Sequence, residues 1–225
     1  MEPQPDKVKS RQPQALASAA SAPRGFTLVE LLMVIAILAL AMALIAPAME
    51  SLFRSSGLSQ AADQVTSTLS LARQTAIVRN RPVEVRLYRY ADAGEQPPGR
   101  FHGLQAFVIE SNPDAQTSTA LDRKQTLPAT VCISAAEELS SLMNPSLASQ
   151  VSGNDLRQRI PTIDLNYTAV CFRFLPDGST DLPSTSKAFL TLVSSAVPDT
   201  ATTPPANFAT LLIQPSNGKI KLLRP

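Results

Sequence analysis

The chain is poor in the residues that make metal centres, staples and phosphate loops. It has no tryptophan, one histidine, His102, two cysteines, Cys132 and Cys171, and eight glycines among 225 residues. One histidine and two cysteines do not supply a zinc ribbon, a His/Cys metal cluster or a disulfide-dense scaffold. No G-x-G-x-x-G or G-x-x-x-x-G-K-[ST] string occurs, which removes the phosphate-cradling loops of those types. Asp177-Gly178 lacks the run of oxygen ligands a calcium loop needs and reads as a turn. His102 has no sequence partner that makes a catalytic triad recognisable, so it reads as an edge or surface histidine rather than a base. No cofactor or metal is expected, and no enzyme motif is present.

Charge of one sign is also lacking over most of the chain. Residues 1–25 hold Lys7, Lys9, Arg11 and Arg24 against Glu2 and Asp6, which accounts for the whole net charge of +2. The remaining 200 residues carry sixteen basic and sixteen acidic side chains. Such a balance gives no long-range attraction for nucleic acid. Arg79, Arg81, Arg86, Arg89 and Arg100 do cluster locally, with Tyr88 and Tyr90 interleaved. A DNA-contact stripe is one reading. The other is a solvated face with salt links to Glu84, Asp92 and Glu95, and the neutral total favours it. Nucleic acid is therefore an unlikely partner.

What is present in quantity is apolar: 44% of residues are hydrophobic and only 17% charged, too apolar a mix for a disordered chain. From residue 26 to 49 the chain reads FTLVELLMVIAILALAMALIAPAM, with Glu30 its only charge. As a helix this run is long enough to cross a hydrocarbon layer of roughly 30 Å. Basic residues precede it and Glu50 follows, which predicts a cytoplasmic N-terminus with the C-terminal part outside. The run is too long for an ordinary signal peptide, and Pro47-Ala-Met-Glu is a poor cleavage site of that kind. A carboxylate inside the run costs about 2.5–3.5 kcal/mol at mid-membrane and less near the interface, so Glu30 calls for a partner.

The junction Arg24-Gly25-Phe26-Thr27-Leu28-Val29-Glu30-Leu31-Leu32 resembles the class III leader of type IV prepilins and type II secretion pseudopilins. The resemblance implies that a membrane peptidase cuts after Gly25 and methylates the new amine of Phe26. It makes Glu30 the fifth residue of the mature chain, where the family carries its glutamate. A free ammonium at Phe26 and a carboxylate at i+4 are within reach of each other. Opposite charges attract strongly at low dielectric, so Glu30 could neutralise its own terminus or that of a neighbouring subunit and set register.

Three segments follow: a polar leader over 1–25, a transmembrane and assembly helix over 26–49, and a periplasmic domain over 50–225. Leu58, Ala62, Val65, Leu69, Ala72 and Ala76 recur at steps of four and three, one helical stripe that reads as core. The helix should end near Asn80-Arg81-Pro82, with Pro47 and Gly57 as bends. The period then changes to two over 83–88. Further strands are expected over 101–110, 127–134, 168–175, 187–194, 208–214 and 220–223. Loops fall at 91–100, Pro176-Asp177-Gly178 and Ser216-Asn217-Gly218-Lys219. Residues 135–159 read as an inserted surface segment with a short helix near 137–142.

The fold class is α+β: a long N-terminal helix, its first half membrane-spanning, packed on an antiparallel sheet, as in pilins. Residues 71–83, the Phe174-Leu-Pro-Asp-Gly178 string and the Asn217-Gly218-Lys219-Ile220 turn resemble minor pseudopilins of the GspH/FimT kind. Within that group the stretch from Arg79 to Tyr90 is similar to the Verru_Chthon cassette protein D family. The resemblance implies a structural subunit of a type IV pilus or a type II secretion pseudopilus. Its partners would be prepilin peptidase, other pilin subunits and inner-membrane lipid. The alternative is a membrane-anchored periplasmic binding domain that never polymerises. Cys132 and Cys171 both fall on predicted strands in a compartment that permits disulfides; a bridge or two separate buried thiols are both open.

Overall fold

The computed structural model describes residues 25–91, 99–112, 115–161 and 163–225, with side chains left aside at 44–54, 111–112 and 115–117. The expected leader over 1–24 and most of the 91–100 loop lie outside the described residues. The chain divides into two units, residues 1–46 and 47–225. One helix, α1 (Leu28–Arg79), contributes to both.

In the first unit every described side chain from Gly25 to Ala43 is exposed. Among the described residues no helix is long and apolar enough to cross a membrane. Residues 28–43 give about 24 Å of helix at 1.5 Å per residue, short of a span. The apolar run that would complete it continues into 44–49, whose side chains lie outside the described residues.

In the second unit α1 buries the stripe read from the sequence, with Leu58 5% exposed and Ala62, Val65, Leu69, Ala72 and Ala76 fully covered. The helical assignment is continuous from Leu28 to Arg79 and includes positions 47 and 57. Gly57 is buried, and a Cβ there would lie 2.7 Å from Thr130 Oγ1. The close approach of Thr130, in the turn before the strand Val131–Ile133, is what calls for glycine there. The helix ends with Asn80 in the left-handed region. Arg81 N–H donates to the Ala76 carbonyl and Asn80 N–H to that of Ile77, a Schellman cap just before Pro82.

Ten strands follow: β1 (Val83–Tyr90), β2 (Arg100–Asn112), β3 (Ala115–Ala120), β4 (Gln125–Thr126), β5 (Val131–Ile133), β6 (Ser149–Ser152), β7 (Thr168–Phe174), β8 (Ala188–Ser194), β9 (Ala209–Ile213) and β10 (Ile220–Leu223). They form one sheet in the order β10-β9-β8-β5-β2-β1-β7-β6, with β3 and β4 also paired to β2. β1 to β2 and β1 to β7, like the other pairings, are antiparallel. The α+β class holds. The strands β3 and β6 were not expected, because polar sequences such as Ala-Gln-Thr-Ser-Thr-Ala and Ser-Gln-Val-Ser carry no period-two signal.

Register places Val83, Val85 and Leu87 opposite Val108, Ala106 and Leu104 on one side, and opposite Phe174, Phe172 and Val170 on the other. These residues form the main core with the α1 stripe. At ~25 cal/mol per Å² of buried apolar surface, such a core is the main source of stability. Arg73 ties α1 to the far turns: its Nε donates to the carbonyls of Gly178, at 3.2 Å, and Asn217, at 2.8 Å. Gly218 sits at φ +60°, against the Gly178 carbonyl, where a Cβ has no room.

The opposite face of β1 is covered as well, and there the expectation of a half-buried strand fails. Residues 83–88 are all buried. A second cluster of Tyr88, Tyr90, Phe107, Ile160, Tyr167, Ala169 and Cys171, with Val151, Leu156 and Ile163 against it, closes this face. The cover is made by β6, by α2 (Gly153–Leu156) and by the segment after it. A capping box between Ser152 and Asp155 starts α2. The stretch 149–167 is thus a third layer. The short helix near 137–142 is a 3₁₀ turn, Ser141–Met143, with Leu142 and Met143 buried. The sequence's inserted surface segment is therefore partly core.

Candidate functional site

Gly25, Phe26 and Thr27 precede the helix in non-helical, exposed conformation. The α1 ladder opens with Leu31 N–H donating to the Thr27 carbonyl at 3.1 Å. The Glu30 N–H donates to Thr27 Oγ1 at 3.2 Å. Thr27 is therefore the N-cap, satisfying one of the orphan amides of the first turn. Thr27-x-x-Glu30 has the spacing of a capping box, with Glu30 at the third helical position, where negative charge also suits the helix dipole. Sequence reasoning passed over Thr27, although the T-x-x-E spacing was legible. A Cβ on Gly25 would meet nothing within 4 Å. Phe26 is 78% exposed. The structure thus brings Gly25, Phe26 and Glu30 into one accessible turn.

The cysteines do not meet. Both are buried and no bridge joins them. Cys132 lies on β5 and Cys171 on β7, with β2 and β1 between them. Three strand spacings of roughly 4.8 Å put them about 14 Å apart, twice the reach of a disulfide. The possible bridge is corrected on that ground: both residues were placed on strands rightly, but strand order is a tertiary fact. His102 is buried on β2, its Nδ1 2.9 Å from the Arg100 carbonyl oxygen and its ring 4.1 Å from that of Tyr90. Among the described residues no group of His, Cys, Asp and Glu could hold a metal.

The arginine cluster is divided among separate partners. Arg89 and Arg100 share Asp199, at 2.7 and 3.5 Å, and Arg100 also donates to the Val197 carbonyl. Arg79 and Arg81 are exposed at the end of α1. Arg86 is 4% exposed, so it faces no nucleic acid. Its Nε donates to Glu84 Oε1 at 2.7 Å, its Nη1 donates to Gln158 Oε1, and its guanidinium lies 4.1 Å over the Phe107 ring. The second carboxylate oxygen of Glu84 accepts from Arg173 Nε at 2.9 Å, across the β1–β7 pairing. Glu84 thus pairs with the buried Arg86 guanidinium under the cover and with the part-exposed Arg173 guanidinium at its edge, and the Arg86–Glu84 pair is desolvated with its hydrogen bonds met.

Burial beside this cluster shifts its neighbours. Desolvation, helped by the Glu84 charge, pushes the Cys171 thiol up to about 12. Desolvation likewise raises Tyr88 and Tyr167 above the ordinary phenol range, with Arg86 opposing. A thiol held neutral is an inert one. A cleft of about 310 Å³ opens between Glu84, Cys171, Arg173 and Asp181 on one side and Ser149, Val151 and Leu156 on the other. These groups are already paired with one another or neutral, which makes this a structural centre.

Residues 21–46 match the model of the prokaryotic N-terminal methylation motif, and residues 61–203 match that of type II transport protein GspH. The second match spans well over half of the chain, and the chain belongs to the GspH family. Members are structural subunits of the minor pilin and pseudopilin class, and this chain is one of them. Similar solved structures include the minor pseudopilin EpsH from the type 2 secretion system of Vibrio cholerae, 14% identical, covering 75% of this chain and 97% of that one with a TM-score of 0.40. The type IV minor pilin FimU of Pseudomonas aeruginosa is 13% identical, covering 75% of this chain and 92% of that one with a TM-score of 0.41. No curated protein matches the sequence significantly.

Proposed function

We propose that the chain is made as an inner-membrane prepilin with its N-terminus in the cytoplasm and residues 50–225 in the periplasm. Prepilin peptidase cuts it after Gly25 and methylates the amine of Phe26. The mature subunit then joins a type IV pilus or a type II secretion pseudopilus through residues 26–49. The observation that carries this reading is the unbroken exposure of Phe26, Leu28, Val29, Leu31, Leu32, Met33 and the apolar residues after them. Apolar surface on all sides of a helix is covered by lipid or by like helices, not by water.

Glu30 is the one charged residue of that surface. Its carboxylate neutralises the ammonium created at Phe26, in its own chain or in the subunit it docks on, and so sets register. The sheet domain supplies lateral contacts.

Intact and N-terminal peptide mass spectrometry on protein from its native membrane tests the reading. The expected chain begins at N-methylated Phe26. A chain beginning at Met1 would point instead to a static anchor that never polymerises. Gly25→Leu should abolish processing. Among the described residues a Cβ at Gly25 meets nothing within 4 Å, so that loss would report recognition by the peptidase. Glu30→Ala should be cut normally yet be depleted from sheared fibres; normal incorporation would remove the register role.

A further inference from the structure

The Thr27 hydroxyl and the Phe26 carbonyl compete for one donor. In this structure the Glu30 N–H donates to Thr27 Oγ1. If α1 were one residue longer at its start, the i to i−4 rule would hand that N–H to the carbonyl of Phe26. One residue longer again, and the Val29 N–H would take the carbonyl of Gly25. That carbonyl belongs to the Gly25–Phe26 peptide bond.

We infer that Thr27 is a positioning residue for processing: by capping α1 it keeps the Gly25–Phe26 bond outside the helix, extended and open to the peptidase. The inference rests on the reading that this bond is the one cut. Hydrolysis adds water to the Gly25 carbonyl carbon, breaks the C–N bond, and leaves a carboxylate on Gly25 and an ammonium on Phe26. A peptidase must reach both sides of that amide. A carbonyl oxygen engaged by Val29 N–H, inside a helical turn, is not free to be polarised by the enzyme, and the turn crowds the faces of the amide from which water must attack. Recognition of an extended backbone is also one recurring mode by which a protein reads a peptide main chain.

The structure supports this at three points. Gly25, Phe26 and Thr27 are non-helical although the apolar run, and with it the helical tendency, includes Phe26. The first backbone bond of the ladder ends on the Thr27 carbonyl, which marks where the helix stops. The cap lies within the first turn itself; among the described residues a Cβ on Gly25 would meet nothing within 4 Å, and Phe26 is largely exposed. Among the described residues, the hydrogen bonds at this end of α1 are those of Thr27, so the cap is what sets where the helix begins.

The test uses the full-length chain in membranes with its peptidase, following the mass change over time. Thr27→Val keeps the shape and a similar helix propensity but removes the acceptor. It should slow cleavage roughly fivefold, the equivalent of about 1 kcal/mol for a lost cap, and Thr27→Ala should slow it at least as much. Thr27→Ser and Thr27→Asn keep an N-cap oxygen and should stay within about twofold of wild type. Amide exchange at Val29 should slow in the Val and Ala variants, because Val29 gains the Gly25 carbonyl as acceptor, and stay unchanged in the Ser variant. Cleavage of Thr27→Val at the wild-type rate, or equal slowing by Ser, Asn and Val, would overturn the role of the cap. A wild-type chain cut at another bond would overturn the processing reading and this inference with it.

Discussion

The two ends of α1 are both apolar and both helical, yet they dispose of their side chains in opposite ways. Over 28–43 large residues such as Leu31, Leu32, Met33, Ile35, Ile37 and Leu38 point in every direction, and all are exposed. Over 58–76 Leu58, Ala62, Val65, Leu69, Ala72 and Ala76 form one stripe, half of it alanine, and that stripe is buried, while Leu71 lies off it and is exposed. Small residues allow the sheet to come close. Glycine at 57 does the same where Thr130 approaches. A helix apolar on all sides has no face to offer water, so its burial is left to lipid or to other subunits. A helix apolar along one stripe is finished by its own chain.

Substitutions can break that contrast, measured as thermal unfolding of the full-length protein in detergent. The largest loss is expected at Glu84, on the far face of the sheet that the second half of α1 packs against. Glu84→Ala leaves Arg86 buried without its counter-charge, at a cost of about 3–5 kcal/mol. Glu84→Gln keeps an acceptor but not the charge and should cost nearly as much; a loss close to zero in that variant would sink the ionic account. Leu69→Ala, inside the buried stripe, should cost about 2–5 kcal/mol. A loss under 1 kcal/mol would mean that the stripe is not core.

A smaller effect is expected in alkali. The Cys171 thiol titrates near 9 when unfolded and at about 12 in the fold. Its folded value is raised, so the stability it contributes is whole below pH 9 and drains away as pH rises toward 12. Unfolding temperature should therefore fall over that window, and Cys171→Ala should flatten part of the fall. Tyr88 and Tyr167, raised by the same burial, contribute the remainder. An unchanged slope in the variant would show that the thiol is not shielded. The smallest effect is the sharpest for the comparison: Leu32→Ala, in the exposed half, should move monomer stability by no more than about 0.5 kcal/mol, while lowering recovery in fibres. A core-sized loss there would place Leu32 against its own domain.

Much of this was legible in one dimension. The stripe at 58–76, the stop at Asn80-Arg81-Pro82, the change to period two at 83 and the Asn217-Gly218 turn are local signals. Each depends on neighbours within about four residues, through helix spacing, backbone sterics or the positive φ that glycine allows. The motif of the proposed processing site was legible for the same reason, and Thr27 could have been found by its spacing from Glu30. Long-range pairing was not. The layer over Tyr88 and Phe107 comes from residues 149–167, whose polar composition reads as surface.

The sequence by itself determined the long apolar helix, the place where charge enters it at Glu30, and the α+β alternation that follows, because side-chain period and turn chemistry act along the chain. Only the tertiary structure decided which residues meet across it. Register set Glu84 opposite Arg173, and the cover from residues 149–167 buried Glu84 with Arg86, so that a strand face read as solvated became an ion cluster with a buried centre. Strand order set two strands between Cys132 and Cys171, so that a plausible bridge became two separate thiols. Contacts between strands distant in sequence are chosen by the packing of the whole sheet, and no local pattern encodes that choice.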